Sequence, residues 1–228
     1  MTARVVRAGH WTSSQVDSGD GAVARWAAGT LAGDRFQADA LLLATLDSGA
    51  RESIGFWRSS RETGFPYANP RPFPWTLSNS STGRIAQALG IRGPTYTLVG
   101  RSEALIGALG HAMDELETRP GSRALVVALD GLGMQVSQLA AMCLSTDPAS
   151  YAVGSVVACG RPDAPADPDG GTASQTLAAA LDRLAGGKEA LVGSDRDGWF
   201  SFTPSSEIPT LVREDGEPLV GSDDIVGV

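Results

Sequence analysis

The residues best placed to do chemistry are Gly100-Arg101-Ser102-Glu103-Ala104, at the predicted boundary between a strand and a long helix. A glycine two residues before a serine is the pattern of a nucleophile elbow, in which a tight turn exposes the hydroxyl. Free N–H groups at the start of the helix could stabilise an oxyanion there. The pattern departs from G-x-S-x-G at Ala104, so the alternative interpretation is a serine N-cap with Glu103 in the first helical turn.

The chain has two histidines that could activate this serine. His111 lies nine residues after Ser102 on the same predicted helix. That spacing is about 13 Å along the axis, so we predict a structural or surface histidine. His10, near the first predicted strand, is the remaining imidazole, and a structural role is its alternative. Serine is a poor nucleophile without a base, so a role for Ser102 in catalysis depends on His10.

Other polar residues give weaker signals. Asp130 ends an apolar run, at the edge of a sheet where α/β sites gather, although an aspartate before Gly131 is also typical of a turn. Cys143 and Cys159 stand alone, without the spacing of metal ligands. They predict neither a disulfide framework nor a zinc site.

Short apolar runs, mostly bounded by glycine, proline, aspartate or serine, predict the strands that must position these residues. Their largely apolar character favours parallel strands covered on both faces. The runs are Ala3–Val6, Ala40–Leu46, Tyr96–Val99, Ala124–Leu129 and Ala152–Ala158.

Three segments predict helices. The first begins near Ser80 and ends at Gly90, ahead of an extended Gly-Pro exit. The second, Ser102 to Thr118, carries one continuous apolar stripe and so should lie against a sheet. The third covers Leu177 to Leu184. Together the elements predict an α/β fold.

Domain organisation follows from a segment rich in proline, aspartate and glycine. Residues 161–171 (RPDAPADPDGG) form the best linker candidate. We predict one α/β domain over residues 1–160. Residues 172–228 are predicted to be an appendage with a helix, a hairpin and an acidic tail, because so few residues rarely form a second core.

A second candidate site is the segment from Phe56 to Trp75, which concentrates aromatic residues, prolines and arginines. Stiff prolines and aromatic faces beside Arg58, Arg61 and Arg71 suit a surface that binds a partner or an acyl carrier protein. A rigid, packed surface loop is the alternative.

Composition narrows the classes of partner. The net charge is −8, and the only lysine is Lys188. An acidic chain without a basic block is a poor candidate for binding nucleic acid or an anionic membrane. The longest apolar run, Ala40 to Leu46, is too short to span a bilayer, and the N-terminus lacks the apolar centre of a signal peptide. We therefore expect a cytoplasmic protein.

Residues Asn79 to Thr97 resemble the N-terminal half of a β-ketoacyl synthase, a thiolase-fold condensing enzyme of fatty-acid and polyketide synthesis. That family has an N-S-(S/T)-A-G-x-I-A helix followed by a G-I-R-G-P-x-x-T strand, and this sequence differs by Thr82 in place of an alanine. The resemblance covers roughly residues 1–160 and is specific over 78–130. It implies a thiolase-like half-fold with a mixed, mainly parallel sheet and helices on both faces.

The departures from that family bear directly on activity. Counting from Gly93-Pro94, the elbow position that holds cysteine in the family holds Ser102 here. The family also needs two histidines, or a histidine and an asparagine, from a second half-fold that this chain lacks. Condensation by this chain alone is therefore not expected. Short ketosynthase-like proteins and chain-length-factor subunits of type II polyketide and polyene pathways are the more similar precedents.

Three functional hypotheses follow from this resemblance. The first is a non-condensing accessory subunit that pairs, through Pro94–Leu98 and the 56–75 segment, with itself or with a complete ketosynthase. The second is an acyltransferase or thioesterase that uses Ser102, supported by Gly100 and Glu103, on acyl-carrier thioesters. The third is a non-enzymatic scaffold. No cofactor or metal of its own is expected, and the phosphopantetheine of a carrier protein is a candidate ligand.

Overall fold

A computed structural model describes residues 1–13, 37–130, 137–148, 152, 154–159, 171–194, 198–205 and 211–212. The strands are β1 (Thr2–Ser13), β2 (Ala40–Thr45), β3 (Thr95–Val99), β4 (Arg123–Asp130), β5 (Ser137–Ser145), β6 (Gly154–Cys159), β7 (Ala190–Ser194), β8 (Gly198–Pro204) and β9 (Leu211–Val212). The helices are α1 (Ala50–Thr63), α2 (Ser80–Leu89), α3 (Ser102–Thr118) and α4 (Ala173–Ala185). Two short 3₁₀ turns, Phe65–Tyr67 and Phe73–Thr76, follow α1.

All nine strands belong to one sheet in the order β3-β2-β4-β5-β1-β6-β8-β7, with β9 beside β1. The fold is therefore α/β with a mixed sheet, as predicted. The expected predominance of parallel pairing is wrong, because five of the eight pairings are antiparallel. β2, β3 and β4 are joined by helical crossovers and can be parallel, whereas β4–β5 and β7–β8 have connections too short for a crossover.

Helices cover both faces of the sheet, which explains the continuous apolar sequence of β2. Leu41 and Leu43 pack on the side of α2, and Leu42 and Ala44 pack in the core that contains α3 and α4. Each of these side chains is fully buried. Strands covered on both faces lose the alternation of apolar and polar residues that marks a strand with one face in water.

Helix α3 has the bounds that its apolar stripe predicts. Its stripe includes Leu105, Leu109 and Leu116, all buried in the main core. Helix α2 ends as expected at Gly90, which adopts a left-handed conformation with φ of 69°. It begins at Ser80, as predicted, with Asn79 as its N-cap.

The C-terminal part is more closely integrated than the sequence predicts. Helix α4 begins with a capping box between Thr172 and Gln175, and its leucines share the main core with α3. Strands β8 and β7 extend the sheet beyond β6. The predicted appendage therefore contributes to the same sheet and core as residues 1–160. Apart from Gly171, the predicted linker lies outside the described residues, as does the acidic tail from Glu214.

Two elements were not predicted. Strand β5 has two alanines and no β-branched or aromatic residue among its nine, so its strand preference is weak, and it forms because β4 and β1 pair with its two edges. Helix α1 includes residues 56–63, the first part of the 56–75 segment, for which we predicted no helix. It ends at Gly64, ahead of Pro66, and buries little more than Ser60. A helix with so little apolar burial leaves no strong periodic signal.

In the part of the chain that the structure describes, no helix combines the length and the apolar character needed to cross a bilayer.

Candidate functional site

The predicted elbow is a tight turn between β3 and α3. The backbone N–H of Gly100 donates a hydrogen bond of 2.9 Å to the carbonyl of Thr45, the last residue of β2. Arg101 is the N-cap of α3 and makes no capping hydrogen bond through its side chain. Ser102 is therefore the first helical residue and not the N-cap that the alternative interpretation required. The turn places Ser102 at the carboxyl edge of three parallel strands, where α/β sites gather.

Glu103 folds back over the turn. A β-carbon added to Gly100 would lie 3.0 Å from Oε1 and 3.2 Å from Cγ of Glu103. Gly100 thus leaves the space that this carboxylate occupies, so the two predicted support residues do lie together. Glu103 remains exposed, and its carboxylate accepts no hydrogen bond from the hydroxyl of Ser102.

Ser102 lies partly exposed without an activating group. Among the described residues, no side chain makes a hydrogen bond with its hydroxyl. Following the register across the sheet, His10 on β1 aligns with Leu98 on β3, four strands away. Four strand spacings amount to about 19 Å along the sheet. His10 instead pairs with Asp182 of α4, with 3.0 Å between Nε2 and Oδ1. His10 therefore cannot act as the base for Ser102 within one chain.

The second histidine belongs to an edge cluster. The exposed ring of His111 stacks on Tyr96 of β3, with ring centroids 5.4 Å apart and planes 6° from parallel. Tyr96 donates a hydrogen bond of 2.7 Å to Oε1 of Glu115, and Arg119 forms an ion pair with the same carboxylate. The hydrogen bond to Glu115, reinforced by burial, raises the pKa of Tyr96. The hydrogen bonds from Tyr96 and Arg119 lower the pKa of Glu115.

The lowered pKa of Glu115 predicts a loss of stability in acid. Its contribution to stability is fully present above the ordinary pKa of a glutamate and is lost as the pH falls through the lowered value. In urea unfolding, Glu115→Gln should therefore be less stable than the wild type at neutral pH, and the difference should shrink at acid pH. An equal difference at both pH values would contradict this account. Tyr96→Phe, which removes the donor, should reduce the same pH dependence.

Asp130 has a structural role that neither sequence interpretation described. Its side chain is only 3% exposed. Oδ1 accepts a hydrogen bond of 2.6 Å from the backbone N–H of Leu46, and Oδ2 accepts one of 2.8 Å from that of Ser174. A carboxylate at the N-terminal end of α4 also interacts favourably with the helix dipole. Asp130 thus ties the end of β4 to α4 and to the residue after Thr45, which itself anchors the elbow.

The 56–75 segment and its flanks expose a patch of large apolar side chains that we name the aromatic surface. Its members are between 41% and 81% exposed and lie on α1, on the two 3₁₀ turns and just after them. They are Ile54, Trp57, Phe65, Tyr67, Phe73, Trp75 and Leu77. Such a dense group of exposed apolar residues is unusual for a monomer and is typical of an interaction site.

Arginines are built into this surface. The guanidinium of Arg61 lies 4.9 Å from the ring centre of Trp57, and that of Arg84 lies 4.1 Å from the ring centre of Trp75. Arg58 and Arg71, in the same segment of the chain, are exposed. The four predicted partner-binding residues, Arg58, Arg61, Arg71 and Trp75, are therefore all accessible to a partner, and their role stays a prediction. Arg84 was not predicted as part of this surface, because it lies outside the 56–75 segment and only the fold brings it to Trp75.

In the described ranges, no group of three or more histidine, cysteine, aspartate or glutamate side chains is arranged to hold a metal ion.

Comparison with known proteins identifies the fold. Neither the protein-family models nor the curated proteins include a match to this sequence. A solved structure of a ketosynthase (ApeO) in complex with its chain length factor (ApeC) from Xenorhabdus doucetiae matches with a TM-score of 0.56 and 14% identity. The match covers 79% of this chain and 76% of that chain, so the two chains have similar lengths.

Two further solved structures match less closely. An ishigamide ketosynthase/chain length factor has a TM-score of 0.49 and 15% identity, over 54% of this chain and 41% of that chain. An HMG-CoA synthase complexed with CoA has a TM-score of 0.40 and 16% identity, over 70% of this chain and 44% of that chain. These weaker likenesses add nothing to the first match. The match to the ketosynthase and chain-length-factor complex, together with the mixed sheet and its helices, shows that this chain has a ketosynthase-like, thiolase-type α/β fold.

Proposed function

We propose that this chain is a non-condensing, ketosynthase-like accessory subunit of a polyketide or fatty-acid-type pathway. The observation that carries the proposal is the elbow itself. Its strand-to-helix turn is intact, yet no described side chain forms a hydrogen bond with the hydroxyl of Ser102. A hydroxyl needs a base to become an effective nucleophile, so this arrangement favours a partner role over independent chemistry.

The fold is consistent with this proposal. The likeness to the ketosynthase and chain-length-factor complex extends over 79% of this chain and 76% of that chain. The likeness itself concerns the fold, and the accessory role is our inference from the elbow.

Two neighbouring features provide a surface for pairing. Strand β3 ends the sheet, and among the described strands only β2 pairs with it. An edge strand offers backbone N–H and C=O groups to a partner strand. Helix α2 packs against both β3 and the second 3₁₀ turn, so the strand edge and the aromatic surface lie on the same side of the molecule. We propose that a complete ketosynthase, or a second copy of this chain, pairs here.

An acyl carrier protein is a further candidate partner. Its phosphopantetheine phosphate would suit the guanidinium groups of Arg58, Arg61 and Arg71, because guanidinium groups bind phosphate in a two-point geometry. In this proposal the pantetheine is a ligand of the assembled complex and not a cofactor of this chain.

Co-expression tests the accessory role. We would co-express this chain with each complete ketosynthase encoded in the same genome and measure complex mass by size exclusion with light scattering. We expect one ketosynthase to form a stoichiometric complex whose product differs in amount or chain length from that of the ketosynthase alone. Ser102→Ala should leave this effect unchanged. Chain extension by this protein alone would overturn the proposal.

The serine-dependent acyltransferase or thioesterase remains the second candidate, because Ser102 does stand at the elbow. It predicts a covalent acyl adduct after incubation with an acyl-pantetheine thioester. We expect intact-mass measurement to show no adduct on the wild type, since no side chain in the described part of the chain forms a hydrogen bond with Ser102. An adduct on the wild type that is absent from folded Ser102→Ala would establish this candidate instead.

A further inference from the structure

The aromatic surface has a charge opposite to that of the rest of the chain. Residues 50–77 contain four arginines and two glutamates, a net charge of +2. Since the whole chain carries −8, the remaining residues carry −10. The segment that exposes the seven large apolar side chains is therefore net positive, within a chain that is net negative.

These arginines are not neutralised by neighbouring carboxylates. Arg58, Arg61 and Arg71 are exposed, and none of them forms an ion pair with a described residue. The guanidinium of Arg61 lies 4.9 Å from the ring centre of Trp57, and its N–H groups form no ion pair with a described carboxylate. Aromatic residues and arginine are the residue types enriched in the centres of protein interfaces.

A second copy of this chain would be poorly matched to this surface. In a two-fold pairing the same patch lies on both subunits, so a segment with a net charge of +2 would face a second segment with the same net charge. Juxtaposed like charges oppose association, and they do so most strongly where water is excluded. The apolar side chains favour burial, but the charges favour a partner that brings carboxylates.

From this charge pattern we infer that the aromatic surface binds a different protein, whose facing surface surrounds an apolar centre with carboxylates, and that it disfavours a second copy of this chain. The inference rests on the proposed function, within which it selects a heterologous ketosynthase over self-pairing.

Salt dependence and charge reversal test the inference. Sedimentation velocity of the purified wild type should show a monomer at low salt, where repulsion between the arginines is strongest. The complex with the co-expressed ketosynthase should weaken as salt rises.

The triple variant Arg58→Glu/Arg61→Glu/Arg71→Glu should bind the ketosynthase at least about tenfold more weakly, because it turns attraction into repulsion. Arg58→Glu should weaken binding, whereas its matched control Lys188→Glu, near the opposite end of the sheet, should not.

Other outcomes would overturn the inference. A wild-type dimer at low salt that Trp57→Ala dissociates would show that the surface accepts a second copy. Unchanged ketosynthase affinity in the folded triple variant would show that carboxylates do not face these arginines.

If no ketosynthase binds, the proposed function is wrong. The inference about the aromatic surface can then still be tested with two forms of this chain. An equimolar mixture of wild type and the triple variant has complementary charges on the same apolar surface. The inference is supported if the mixture associates at low salt while neither protein associates alone, and if Trp57→Ala abolishes that association. A mixture that stays monomeric would overturn it.

Discussion

Replacing Asp130 with alanine is expected to destabilise the protein by about 3 kcal/mol, because two buried or partly buried backbone N–H groups lose their acceptor. These groups belong to Leu46 and Ser174, which lie on different elements. The variant should therefore loosen the start of α4 and the residue after Thr45 together. Thermal unfolding should show a midpoint lower by roughly 6–12 °C for a chain of this size.

Asp114→Ala is the matched control. Asp114 is an exposed aspartate on α3 for which the described structure shows no partner, so its replacement should change stability by no more than about 0.5 kcal/mol. Asp130→Asn should rescue only part of the loss, since its amide oxygen can accept from one N–H while its NH₂ faces the other. If Asp130→Ala proves as stable as Asp114→Ala, the tether does not contribute as we describe.

Gly93→Ala is expected to displace β3, with a loss of roughly 3 kcal/mol typical of severe overpacking against backbone. A β-carbon at Gly93 would overlap the carbonyl oxygen of Asp39 and lie 2.9 Å from its carbonyl carbon. Backbone atoms cannot move aside as a flexible side chain can. The next residue, Pro94, accepts a hydrogen bond of 3.0 Å from Leu41, so a shift at Gly93 acts directly on the pairing of β3 with β2.

Gly83→Ala provides the contrast for this variant. Gly83 is a helical glycine in α2, and a β-carbon added there meets nothing within 4 Å. Alanine should stabilise the helix by about 0.5–1 kcal/mol. Both substitutions add one methyl group to a glycine. In urea unfolding we expect Gly93→Ala to lower the free energy of unfolding and Gly83→Ala to raise it. Equal effects would show that the close approach to Asp39 does not decide the outcome.

How much of the fold the sequence predicts depends on where the stabilising contacts come from. Helix α3 was predicted with its bounds because its apolar stripe repeats within the helix itself. Strand β5 was missed because its alanines and serines become a strand only between β4 and β1, which lie far away in sequence. The prediction that most strands pair in parallel was wrong for the same reason. A continuous apolar sequence indicates that both faces of a strand are covered, but it does not indicate whether the neighbouring strand runs parallel or antiparallel.

The candidate site also combines features that the sequence determines with features that only the tertiary structure determines. The sequence alone determined that the elbow holds serine and not cysteine, that two histidines are available, and that arginines and aromatic residues concentrate between Phe56 and Trp75. These are properties of residue type and spacing. The tertiary structure decided that His10 lies four strands from β3, that Asp130 is a buried tether, and that Arg84 stacks on Trp75. Such distances depend on strand order and helix packing, which residues far apart in sequence fix jointly, so no local pattern could contain them.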